Sequence, residues 1–111
     1  MELLKTELVQ GDPPVLQVAG EIDLATAGAL RTALEEAVAT DPRVVVDMAG
    51  VTFLDVTGLR AVLQVAASRN GAGPLTLLHA PRIAWLLELV GLSDLSSIVI
   101  AEAAEVAESG G

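Results

Sequence analysis

The chain has 111 residues, of which 52% are apolar, and it carries no cysteine and a formal net charge of −9. That length implies a single domain burying roughly 60–70% of its unfolded surface, so no disulfide or metal staple is required. Without cysteine, thiol chemistry is excluded. The fifteen acids against six dispersed basic residues, with one Phe, one Trp and no Tyr, argue against nucleic acid and anionic membrane surfaces. Those partners select clustered Lys and Arg, and bases want aromatic platforms.

No basic start followed by an apolar run is present, and no apolar stretch reaches the ~18 residues of a membrane span, so a cytoplasmic protein is expected. Residues 3–9 and 15–18 read as a first strand pair joined by the turn at 10–14. A turn at Gly20 follows. Thr26 is the expected N-cap of a helix reaching about Ala39, with Leu30, Ala33, Leu34, Ala37 and Val38 inward and Arg31, Glu35 and Glu36 outward. Asp41-Pro42 ends it.

Val44-Val45-Val46-Asp47 has the β-branched run of a strand buried on both faces, as in a parallel sheet. Gly50 is expected to turn the chain out of that strand, and Phe53-Leu54 to tuck back toward the core. Asp55 stands where a helix should start. Leu59, Val62, Leu63 and Ala66 recur at helical spacing up to about Arg69, where the Gly-rich residues 70–74 stop it. Residues 75–79 make the next strand. Pro81 suits the first position of a third helix, with Ile83, Leu86, Leu87 and Val90 inward, Trp85 half-buried off that stripe and Gly91 at its end. Residues 97–100 offer a last strand, residues 102–108 a short marginal helix, and 109–111 a frayed end. The pattern is one α/β domain, a mixed sheet of about five strands with helices packed against it.

Catalytic chemistry finds little to work with. His79, the only histidine, has neither a cysteine nor an obvious serine partner, and reads as structural. One histidine among dispersed carboxylates is not a metal-ligand set. Gly71 and Gly73 precede Pro74 and a strand, where a phosphate-binding loop needs a helix N-terminus. A phospho-receiver reading of Asp47 and Asp55 fails because that family uses a late lysine and the only lysine here is Lys5. The chain reads as a binding domain, not an enzyme, with no cofactor.

Two motifs carry a resemblance. Asp55-Val56-Thr57-Gly58-Leu59, after a Val-rich strand ending in Asp47, and Gly20-Glu21-Ile22-Asp23 upstream, resemble the paired signatures of STAS domains, and of anti-sigma factor antagonists in particular. The resemblance spans roughly residues 3–107. It implies a protein that binds an anti-sigma factor of histidine-kinase-like ATPase fold and frees a sigma factor, regulating transcription by partner switching. The docking surface it implies is Glu21, Ile22, Asp23, Leu54, Asp55, Val56, Thr57, Gly58 and Arg60, with Trp85 a further candidate beside its half-buried core reading.

In that family the residue after the aspartate is typically the serine or threonine that the partner kinase phosphorylates. Here it is Val56, which has no hydroxyl, leaving Thr57 as the one candidate acceptor within the motif. Two other classes stay open: a scaffold subunit that self-associates weakly within a signalling assembly, and a sensor of a lipid or nucleotide. A cavity would favour the sensor.

Overall fold

The alternation of buried and exposed positions from Val15 to Ile22 commits one face of that strand to a core, and the rest of the fold is built onto that face. The computed structural model describes residues 3–69, 71–92 and 95–101. In chain order these form β1 (Lys5–Val9), β2 (Val15–Ile22), α1 (Ala27–Thr40), β3 (Val45–Leu54), α2 (Val56–Ala67), β4 (Leu75–Leu78), α3 (Pro81–Leu89) and β5 (Ile98–Ala101). One mixed sheet has the order β1-β2-β3-β4-β5, with β1 antiparallel to β2 and every other pair parallel. The expected α/β class and five-strand sheet are what the structure has.

All three parallel crossovers advance in the same direction across the sheet. With right-handed connections, that places every helix on one face, and α2 packs against both α1 and α3. A single core fills the space between: Leu16, Val18 and Ile22 of β2, Val46 of β3, Leu77 of β4, and Leu30, Leu34, Val62, Val65 and Ile83 from the helices. The opposite face mixes Glu7, Gln17 and Asp47 with Val9, Val15 and Val99. Val44, Val45 and Val46 are all buried, as the β-branched run predicts.

The central strand departs from the sequence-based expectation. Gly50 does not turn the chain, which stays in β3 to Leu54. Crowding is what requires glycine there, since a Cβ would stand 2.7 Å from Cβ of Ala19. Phe53 is 47% exposed and does not tuck inward, while Leu54 does. Against the eight residues of β2, β3 spends ten, with slips near residues 48–49 and 52 that turn Phe53 outward. Gly20, too, remains inside β2.

Smaller corrections concern helix ends. Trp85 is 61% and Val90 48% exposed, so the buried stripe of α3 is Ile83, Leu86 and Leu87. Arg69, read as one of several scattered cations, is buried: its guanidinium donates to the carbonyls of Pro74 (3.1 Å), Ala72 (3.4 Å) and Pro42. The expected helix at 102–108 and frayed end at 109–111 lie outside the described residues.

Candidate functional site

Ile22 and Leu54 are register partners and the last residues of their strands, so Asp23 and Asp55 each stand one residue beyond a paired strand end. The Asp55 N–H donates to the Ile22 carbonyl at 3.2 Å. Both motifs are thus brought to the carboxyl ends of neighbouring parallel strands, where open α/β sheets place their binding loops.

Asp55 caps α2 as its position in the sequence predicts. Its Oδ1 accepts the N–H of Thr57 at 2.9 Å and of Gly58 at 3.4 Å, and the Thr57 hydroxyl donates to the same oxygen. The Thr57 hydroxyl, and then the Thr57 and Gly58 N–H groups, hold the Asp55 carboxyl below the ordinary aspartate value, with burial pulling the other way. The Thr57 hydroxyl is therefore already committed to a carboxylate.

The other turn is organised by Asp23, where Thr26 was the expected cap. Thr26 makes no side-chain cap bond. Its hydroxyl folds back instead, donating to the Glu21 carbonyl at 2.9 Å and accepting the Asp23 N–H at 3.0 Å. The Asp23 carboxylate accepts the N–H groups of Ala25 (3.0 Å) and Thr26 (3.2 Å).

The nine candidate residues divide by accessibility. Val56 is 52% exposed at the first position of α2, and Arg60 is exposed one turn further on. Glu21, Asp23, Asp55 and Thr57 are half-buried. Ile22, Leu54 and Gly58 are buried and set the height of the surface above. Gly58 lets α2 approach β2, since a Cβ there would meet Ile22 Cγ2 at 2.5 Å and Leu54 Cγ at 3.1 Å.

Leu24, Gly28, Arg31 and Gln64 also belong to this surface and were not among the sequence candidates. Leu24 is 81% exposed. With Gly28, Arg31, Thr57, Arg60 and Gln64 it lines a shallow depression of about 310 Å³ between α1 and α2. The signal available was an apolar residue placed in a polar turn directly after Asp23. The site thus combines an exposed leucine and valine, two arginines, and acids held in turns. That set suits contact with another protein. Among the described residues no group of three His, Asp or Glu side chains could hold a metal ion. No helix among them is long and apolar enough to cross a membrane.

The family model described as "Mlab, STAS domain" matches residues 7–100. The anti-sigma-F factor antagonist RsfB of Mycobacterium tuberculosis is 49% identical over 58 residues, 51% of this chain and 47% of the relative. The chain thus spans about half the length of the curated relatives it matches. Among solved structures, it is similar to an anti-sigma factor antagonist from Mycobacterium paratuberculosis, with a TM-score of 0.79 and 25% identity over 97% of this chain and 93% of that one. Unphosphorylated SpoIIAA, an anti-sigma factor antagonist, shares the fold at a TM-score of 0.67 and 20% identity, over 97% of this chain and 96% of that one.

Proposed function

This chain belongs to the STAS domain family, and from that premise we propose that it is an anti-sigma factor antagonist, acting by binding and not by catalysis. Its partner in this reading is an anti-sigma factor of histidine-kinase-like ATPase fold, and its effect is to free a sigma factor for transcription. The observation that carries the reading is the 49% identity to an anti-sigma-F factor antagonist. The geometry lends support: the Asp23 and Asp55 turns stand at the ends of adjacent strands, and Thr57 and Arg60 line one depression with Leu24 and Arg31.

Val56 decides how such a surface would be regulated. A phosphate adds about −1.5 to −2 charges. The helix start returns only ~0.3–1 kcal/mol at an exposed position. Repulsion from one carboxylate assumed ~6 Å away is about 3 kcal/mol per added charge at an effective dielectric of ~20, before salt screening. Repulsion wins, so a partner that accepts the bare surface rejects a phosphorylated one. With valine there and the Thr57 hydroxyl bound to Asp55, the surface stays in its binding-competent form.

Calorimetry of the purified chain against histidine-kinase-like anti-sigma factors from the same organism tests the reading. One of them should bind directly, and Arg60→Glu should weaken that binding with little change in the thermal midpoint. If none binds the wild-type chain, the reading is wrong.

A further inference from the structure

β4 leaves the sheet at Leu78, opposite Asp47, while β3 continues through residues 48–54. His79 makes the departure with a left-handed φ of 53°, and Ala80-Pro81 then start α3. The space β4 vacates is an open groove of about 680 Å³ between the outer edge of β3 and the first turns of α3. That falls within the roughly 300–1,000 Å³ of small-molecule sites.

Two independent features describe what fits it. The chain's only phenylalanine and only tryptophan both line the groove, and Phe53 and Trp85 are 47% and 61% exposed. In a chain with fifteen Asp and Glu residues, the lining holds none; its charged member is Arg82, beside His79. Arg82 makes no ion pair among the described residues. The neighbouring start of α3 has no side-chain cap and no acid in its first turn, so its N–H groups also favour negative charge.

We propose that this groove binds a small amphipathic anion, with a flat apolar body against Phe53 and Trp85 and its one acidic group toward Arg82. An added strand fits less well. The slips near residues 48–49 and 52 break the regular repeat a strand needs, and the Ala49 N–H is already held by Asp47 Oδ1 at 3.0 Å. The site does not depend on the anti-sigma reading, although Phe53 and Leu54 lead directly into Asp55.

The probe is 8-anilinonaphthalene-1-sulfonate, compared with N-phenyl-1-naphthylamine, which shares its rings and lacks the charge. Both are titrated by dye fluorescence and by emission of Trp85. One sulfonate dye should bind per chain, about tenfold more tightly than the neutral one, a difference well resolved by titration. Arg82→Glu should abolish that preference and leave the neutral dye unchanged; an acid in a first turn suits the helix, so unfolding would not explain the loss. Phe53→Ala should weaken both dyes, and Leu24→Ala, on the other surface, neither. Circular dichroism confirms that each variant is folded. Sulfonate affinity unaltered by Arg82→Glu, or by Phe53→Ala, would overturn the site. So would displacement of the dye by a short acidic β-strand peptide but not by 1-naphthoate, which would make the groove a peptide site.

Discussion

Gly58 lies against Ile22, so close that a Cβ on the glycine would stand 2.5 Å from the isoleucine Cγ2. The two motifs that carry the family resemblance therefore touch: one supplies the gap and the other fills it. Ile22 is fully buried, so it has no outward route to yield.

Gly58→Ala sets two effects against each other. Alanine gains about 1 kcal/mol over glycine within a helix, while forcing a methyl into a packed core costs about 1–3 kcal/mol. Packing wins on balance, and we expect urea denaturation to show a net loss of up to ~2 kcal/mol. Combining Gly58→Ala with Ile22→Ala should cost less than the sum of the two single changes, since the second removes what the first strikes. Simple additivity would show that the contact is not the cause.

Arg69 gives a second expectation. Its guanidinium ties the end of α2 to the carbonyls of Pro42 and Pro74, which lie just before β3 and β4. Arg69→Met keeps the aliphatic stem but strands those carbonyls, so stability should fall by about 1–3 kcal/mol. Arg69→Lys should recover only part of this, because a single ammonium cannot reproduce the planar fork. A methionine variant as stable as wild type would reduce the arginine to a space-filler.

These two residues also show how far local reading of the sequence reaches. Asp55, the stripes of α1 and α2 and the Val44–Val46 run were legible because cap, period and β-branching act over a few neighbouring residues. Burial of Arg69 was not, because its acceptors are contributed by loops 27 and 5 residues away. β3 was read too short because its slips destroy the two-residue period, so Gly50 looked like a turn. Val90 was placed inward, and Trp85 half-buried, because a nine-residue helix gives too few turns to fix its stripe from spacing alone. The Asp23 and Thr26 turn held two cap residues in competition, and only the geometry shows that Asp23 takes the N–H groups.

The Asp55 cap should appear in the pH dependence of stability. Its folded-state carboxyl is held below the unfolded value by the Thr57 hydroxyl and the N–H groups beneath it. The unfolded chain thus binds the proton more readily. The contribution is complete above the unfolded value of about 3.9 and is lost as pH falls through the lower folded value. Asn is also a good N-cap but does not titrate. Wild type should therefore exceed Asp55→Asn in stability at pH 7, and the gap should close toward pH 2–3, measured by denaturation at each pH. A gap constant with pH would mean that ionisation of Asp55 contributes nothing to the fold.

Val56 carries the last expectation, which rests on the proposed partner reading. Its side chain is 52% exposed at the first position of α2, clear of the core cluster. Substitutions at such positions usually change stability by no more than ~0.5 kcal/mol. Val56→Ser should thus leave the fold intact while introducing a hydroxyl at the position that the resemblance marks as the phosphoacceptor. Incubated with a kinase-competent anti-sigma partner and ATP, that variant should gain phosphate on Ser, whereas wild type should remain unmodified at Thr57, read by peptide mass spectrometry. Val56→Asp imitates part of the phosphate charge and should weaken binding. Because an acid in the first turn gains slightly from the helix dipole, the weakening could not be assigned to unfolding. The defect should shrink between low salt and physiological ionic strength, where exposed charges are screened over ~8 Å. An aspartate variant that binds as tightly as wild type at low salt would place Val56 outside the interface and move the docking surface elsewhere on the domain.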